Sequence, residues 1–577
     1  MLTLGSGYGR SFGAAKPYDC SDWTASMECA RAWLGQCMVY HSDCPITPWS
    51  KRTIIGTSHA LVKPTPYRPT RLLEIGEPEA TKVRLRLSSE LDSTLSQYAT
   101  LSHCWGKSKT LRLTSESFQR FRDGVAVTDL AKTFQDAMLV AQSIGIKLLW
   151  IDTFCIFQDS TKDWQQEAGS MSQVYRNSFL NIAASIAVDS DVGFLHERAS
   201  TVEPCTVQTA WTDFPNGNYC IYDWHYWNSN FRRMPLKRRA WVFQENILAP
   251  RVLHFCGTQM FWECHGLLAC ETWPTGLPIH MSTNSLKGRQ SANYDIFGSK
   301  STYYNGPSGI SVAEYLAFNK SRIGGAWMQL VKEYNACNLT FPSDKLIALS
   351  GVAKYMERLL DIEYCAGLWS FDLISGLAWS RERNLEPAFP EIQEPIPYRA
   401  PSWSWACLDG PIKSHGYQRE DRRLVDVVSC DVETATKDRT GAVTSAVMKL
   451  SGYLATIKLH RDFGTKQPYP ATEGNFEIYC DGKWNSMGAW DFNFDLRPPT
   501  FQLHCLFLFI DEFRIIYGLL LTPTKVTRGH FRRVGMLQDF LKDNTSLDLN
   551  QFSHFKNESW LEYESVDDDG KYTITII

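Results

Sequence analysis

No apolar stretch in this chain is long and uninterrupted enough to cross a bilayer: the longest, Leu503 to Leu521, is broken by Asp511, Glu512 and Arg514. The opening residues MLTLGSGYGR lack the apolar core of a secretion signal. Neither sign of charge dominates, since 59 basic residues face 62 acidic ones for a net charge of -3. A protein that holds nucleic acid through phosphates usually carries a positive excess, so that class of partner is not expected. Internal repeats are absent, as is a Walker-type glycine loop for nucleotide phosphates. The expectation is a cytoplasmic chain without membrane span or nucleic-acid partner.

What is present is ordinary globular composition, 44% hydrophobic and 21% charged over 577 residues, enough for two or three cores. Seventeen cysteines are scattered along the chain. Without a secretory signal they read as free thiols or metal ligands rather than a disulfide framework. The twenty tryptophans gather at Trp241, Trp262 and Trp273 and again at Trp369, Trp379, Trp403 and Trp405. Large aromatics in such clusters are expected in cores.

Periodicity organises the chain. Residues 27–33 have a helical pattern, and 64–70 (PTPYRPT) form a proline-rich connector. From 71 to about 200, strand and helix signals alternate, the signature of a parallel sheet with crossover helices. Tyr98 to Ser102 is the first clear strand, followed by a turn at His103-Cys104-Trp105-Gly106. Leu130, Phe134, Ala137, Ala141 and Ile144 recur at helical spacing, with Thr128 and Asp129 as capping candidates. Leu148 to Ile151 reads as a strand buried on both faces and ending on Asp152. The next helix opens at Ser160, where Ser160-Thr161-Lys162-Asp163 resembles a capping box, and its apolar stripe is Trp164, Ala168, Met171 and Tyr175. A strand follows at 179–184. Further on, 241–248 reads as a helix, 252–264 as a hairpin, 275–310 as a long surface loop, and 325–336 and 344–360 as helices. The last 130 residues alternate as antiparallel β-structure. The fold expected is α/β, with a parallel-sheet (Rossmann-like) domain followed by a mixed α+β, β-rich C-terminal region.

Three segments in fixed order carry a resemblance: YATLSHCWG at 98–106, LLWIDTFCIFQDSTKDWQQEAGSMSQVYRNSFLNIAAS at 148–185, and RRAWVFQENILAPRVLHF at 238–255. They resemble the fungal heterokaryon incompatibility (HET) domain family. TRLLEIG at 70–76 and the helix around Lys132-Thr133-Phe134 extend the resemblance over about 70–265. WLGQCMVYHSDC at 33–44, LTFPSDKLIALSG at 339–351 and APSWSWA at 400–406 are similar to segments that accompany such domains. The resulting division is an N-terminal extension at 1–69, a HET domain at 70–270, a linker at 271–320, and a helical then β-rich region at 321–577. The resemblance implies non-self recognition between fused fungal cells, ending in growth arrest or programmed cell death. The partner it implies is a second copy of the chain or another incompatibility protein. A non-enzymatic self-associating module and a factor of a secondary-metabolite pathway are the alternatives.

HET domains are also remotely similar to Toll/interleukin-receptor (TIR) domains, whose enzymatic members cleave the nicotinamide-ribose bond of NAD with a helix-borne glutamate. That similarity implies NAD as substrate and makes Glu167 the candidate carboxylate. Three residues after Trp164 and four before Met171, it lies at the edge of the buried stripe. Its alternative is an ion pair with a neighbouring Arg or Lys. Asp152 is the second catalytic candidate, and Gln158 and Asp159 share its sheet edge, where α/β folds bind ligands. Capping and turn-fixing are their alternatives. Ser102, His103 and Trp105 close the neighbouring strand. Adjacent strand residues point to opposite faces, which disfavours a local dyad of His103 and Cys104. Cys155 is a further thiol near this edge. Arg239, Gln244 and Glu245 flank Trp241 on a helix and either complete a ligand pocket or lock that helix to the core. Finally, Cys37, His41 and Cys44 are spaced as three ligands of a structural zinc, with Cys20, Cys29, His103 or Cys104 as the fourth.

Overall fold

The computed structural model describes residues 2–5, 21–41, 44, 67–92, 97–108, 110–198, 205–209, 217–223, 226–231, 233–278, 312–382, 398–416, 420–460, 475–479, 483–490, 500–540 and 561–577. The chain divides into two compact units, Met1–Ile310 and Ser311–Ile577. Most of the loop expected at 275–310 and residues 64–66 of the connector at 64–70 lie outside the described residues. Among the described residues, no helix is long and apolar enough to cross a membrane.

The first unit is built on a nine-stranded sheet. Its centre is four parallel strands, β6 (Leu148–Trp150), β4 (Ala99–Ser102), β7 (Leu180–Ala183) and β10 (Arg251–Phe255), neighbours in that order. Every residue in these strands is buried, as expected of parallel strands covered on both faces. Antiparallel strands extend both sides. β2 (Arg71–Glu74), β3 (Lys82–Leu87) and β5 (Val125–Ala126) lie beyond β6, while β11 (Met260–Cys264) and β12 (Leu268–Cys270) lie beyond β10.

Helices α3 (Lys132–Ser143), α5 (Thr161–Arg176) and α7 (Ala240–Leu248) connect the parallel strands. In α5 the side chain of Ser160 accepts from the Asp163 amide at 3.2 Å, as the capping pattern predicts. The reciprocal half of the box is replaced: Asp163 accepts from the Phe157 amide and from Arg71 on β2. In α3 the expected caps do not cap. Thr128 and Asp129 belong to a separate 3-10 turn, Val127–Asp129, and α3 starts after Ala131 without a side-chain cap. Its Thr133 amide donates instead to the Ser190 carbonyl at 3.0 Å, so a tertiary contact satisfies the orphan donor. Helix α1 (Trp23–Tyr40) is longer than the periodic core at 27–33 and packs on β11, with the Trp33 and Trp262 rings 6.2 Å apart.

The second unit contains an eleven-stranded, largely antiparallel sheet, in agreement with the alternation in the sequence. Its helices include Val312–Asn335 and Ile347–Leu360, which overlap the helical stretches expected at 325–336 and 344–360; the start of the second is a separate 3-10 turn, Pro342–Asp344. Trp327, Trp369, Trp379, Trp403 and Trp405 are all fully buried. The indoles of Trp327 and Trp405 both donate to the Gly367 carbonyl, at 2.9 and 2.8 Å. The buried Arg533 guanidinium lies 3.5 Å from the Trp379 ring centroid and donates to the Leu377 carbonyl at 2.6 Å. A cation stacked on an indole and hydrogen-bonded to backbone explains how an arginine is tolerated in this core.

Candidate functional site

Ser102 ends β4, and its hydroxyl is 2.5 Å from Oε2 of Glu245 on α7. The hydroxyl has one proton to give, and Asn181 on β7 supplies a donor in return, Nδ2 to Ser102 Oγ at 3.0 Å. Asn181 also reaches Asn246 on α7 at 3.1 Å and accepts from Thr100 at 3.0 Å. Two strands and one helix are thus joined by a buried polar network in which each group has a partner. Glu245 is only 5% exposed. Burial pushes its carboxyl up to about 7, against the opposing influence of the Ser102 hydrogen bond and the Arg239 charge and with reinforcement from Asp152. A carboxyl poised there exchanges its proton under ordinary cellular conditions.

His103 and Asp152 stand one strand apart at the same sheet edge, Nδ1 to Oδ1 3.8 Å. Trp105 donates its indole proton to the other Asp152 oxygen at 2.8 Å, and its ring stacks on His103. Thr153 Oγ1 is 3.4 Å from His103 Nε2. Burial lowers the His103 pKa to about 4, outweighing Asp152, so this imidazole is neutral near pH 7. Arg239 donates to the His103 carbonyl. Asp152 keeps 22% of its side chain exposed and is the accessible carboxylate of the set. Burial raises the Cys104 and Cys155 thiols, Cys155 to about 12, which disfavours either as a nucleophile.

Ser102, His103, Trp105, Asp152, Arg239 and Glu245 therefore come together. Others stand elsewhere. Glu167 is buried in an ion pair with Arg71, Oε1 to Nη2 3.3 Å, and the same guanidinium holds Asp163 at 2.6 Å. Burial raises the Glu167 pKa, opposed by a hydrogen bond from Thr70 and the charge of Arg71. Arg71 also donates to the Cys155 carbonyl at 2.7 Å, tying β2 to the connection after β6. Gln158 donates to the carbonyls of Asp152 and Ile156, each at 3.0 Å, and so fixes its turn. Asp159 is exposed and accepts from the Ser115 amide at 2.9 Å. Gln244 is buried on α7. Sequence reasoning overlooked Asn181 and Arg71. An asparagine inside the apolar run Leu180–Ala183 was the available signal, because a polar side chain in a strand buried on both faces needs partners.

A second cluster forms where α1 ends. Cys37, His41, Cys44 and Cys264 bring their ligand atoms within 4.8 Å of one another. Cys29 is buried in α1 outside this group, and Cys104 and His103 stand at the sheet edge. None of these three supplies the fourth member, and Cys20 lies outside the described residues. Cys264, at the end of β11, is 223 positions from His41, so no local spacing could have pointed to it.

A carboxylate, a hydroxyl and an imidazole thus collect where parallel strands of an α/β domain end. The family model described as heterokaryon incompatibility protein (HET) matches residues 98–245, from the start of β4 to Glu245 itself. The match covers about a quarter of the chain and supports a HET domain at those residues. Searches of the curated proteins and of the solved structures found no match.

Proposed function

We propose that this HET domain acts in heterokaryon incompatibility as a cell-death effector, by hydrolysing the nicotinamide-ribose bond of NAD at the edge formed by β4, β6 and β7. The observation that carries the reading is the Glu245 carboxyl, buried beside Ser102 and tuned to about 7. Its position on a helix agrees with the glutamate implied by the similarity to TIR domains. Glu245 replaces Glu167 in this reading because Glu167 is already engaged by Arg71.

As the bond to nicotinamide lengthens, positive charge develops on the ribose, and the nicotinamide leaves neutral with the bonding electron pair. Ionised Glu245 stabilises that charge, more strongly for being out of water. Asp152, held by Trp105, meets the ribose hydroxyls. Water then adds to the ribose carbon and releases a proton, giving ADP-ribose.

The test is nicotinamide release from NAD by the full-length protein, with Glu245→Gln and Glu167→Gln compared. Glu245→Gln is expected to lose about 10²-fold or more in turnover, while Glu167→Gln, if folded, retains most of it. Turnover surviving Glu245→Gln would overturn the assignment. A wild type that kills cells without consuming NAD would favour signalling by self-association.

A further inference from the structure

Cys37 and His41 lie four residues apart at the end of α1 and so share a face. After His41 the chain turns back, with the Cys44 amide donating to the His41 carbonyl at 3.1 Å. The His41 Nδ1 atom is 4.0 Å from Cys44 Sγ and 3.3 Å from Cys264 Sγ. With zinc-sulfur bonds of about 2.3 Å and zinc-nitrogen bonds of about 2.0 Å, ligand atoms of a tetrahedral site are separated by roughly 3.5–3.8 Å. The two distances, 3.3 and 4.0 Å, fall on either side of that range.

Three further observations point to a cation. Cys37, Cys44 and Cys264 are 0%, 2% and 0% exposed, yet three thiols cannot all be consumed by a disulfide and a disulfide has no use for the imidazole. Arg251, at the start of β10, is buried and donates Nε to Cys37 Sγ at 3.2 Å. A divalent cation with three thiolates carries one net negative charge, which this guanidinium neutralises. Gly266, just beyond β11, passes so close that a Cβ there would stand 2.5 Å from His41 Cγ. The hairpin backbone leaves room for that ring and for little else.

We propose that Cys37, His41, Cys44 and Cys264 form a closed, structural Cys3His zinc site that clamps α1 to the β10–β11 hairpin. Four protein ligands leave no open coordination position, so the site holds structure and performs no hydrolysis. The inference is independent of the NAD reading, because it uses none of that site's residues.

The full-length protein, purified without added metal, is expected to hold about one zinc per chain by plasma mass spectrometry. Grown with cobalt, it should show thiolate-to-cobalt charge transfer and the intense visible bands of a tetrahedral site. Cys264→Ser should lose the metal, whereas Cys264→His, which keeps four ligands, should retain it. Zinc below about a tenth of an equivalent in the wild type, unchanged zinc in Cys264→Ser, or a cobalt protein lacking the charge-transfer band would overturn the proposal. The cobalt spectrum is read on the wild type and does not depend on any variant folding.

Discussion

Replacing Glu245 by glutamine should make the protein more stable at alkaline pH, by an amount the structure sets. The carboxyl is raised from 4.5 to about 7 in the folded state. At about 1.4 kcal/mol per pH unit, this corresponds to about 3 kcal/mol. Below the unfolded value both states are protonated and nothing is lost. Between about 4.5 and about 7 the unfolded chain ionises while the folded one holds its proton, so stability falls as pH rises. Above the folded value the loss is complete. Glutamine imitates the protonated acid at every pH and removes this dependence. The first unit spans Met1–Ile310, and at about 2.1 cal/mol/K per residue its unfolding entropy is about 0.65 kcal/mol/K. The gap in Tm between Glu245→Gln and wild type should therefore widen by roughly 4 °C between about pH 5 and about pH 8.5. Thermal melts followed by near-ultraviolet circular dichroism at both values check it, and taking the difference between proteins cancels the other titrating groups. A gap that is the same at both pH values would refute the account of a carboxyl kept protonated by burial.

Other perturbations have calculable outcomes. Arg71→Met leaves Asp163 and Glu167 facing each other without their cation and should cost about 3–5 kcal/mol, seen as a lower urea midpoint. An unchanged midpoint would show the pair to be idle. Asp136→Ala removes the acceptor for the Phe194 and Leu195 amides at 2.8 and 3.0 Å, a loss of about 2–4 kcal/mol. Hydrogen exchange at those two amides should accelerate, and protection equal to wild type would contradict it. Gly106 has φ +62, and a Cβ there would stand 2.1 Å from Asp189 Cβ. Gly106→Ala should destabilise the fold by more than the roughly 1–2 kcal/mol of left-handed strain alone, read as a lower Tm, because Asp189 must also move.

Most of the central sheet was legible because its strands are short, largely apolar runs bounded by turns, and Ser102 was read correctly as a strand end, whereas β6 stops at Trp150 and Asp152 opens the short helix Asp152–Cys155. Helix α5 was legible from Trp164, Ala168, Met171 and Tyr175, three of which are buried and one half-buried. The start of α3 was not, since Thr128 and Asp129 are good caps chemically but Ser190, far along the chain, satisfies the helix instead. The same distinction runs through the site. Glu245 was recognisable as a polar residue beside an indole, yet its bond to Ser102 crosses 143 positions and depends on how α7 docks. Glu167 sat on the right stripe for burial, but its environment is decided by Arg71 on a strand 96 positions away. Periodicity reports which face is buried; it says nothing of what lies opposite.

Helix α1 has a consequence in time. Trp33 is 1% exposed beneath Trp262 and donates to the Pro274 carbonyl at 2.8 Å, and Ser26 reaches Glu271 at 2.5 Å. All of these covering residues are made late: the His41 to Cys264 interval alone is 223 positions, which at ~5–20 residues per second is roughly 10–45 s of synthesis. During that interval a nascent chain carries a helix with a bare indole and uncovered thiols, open to oxidation and to chaperones. A fragment begun at residue 70 would reverse the fault, leaving β11 and the edge strand β12 without their cover for good. Helix α1 is therefore synthesised well before the surface it packs on.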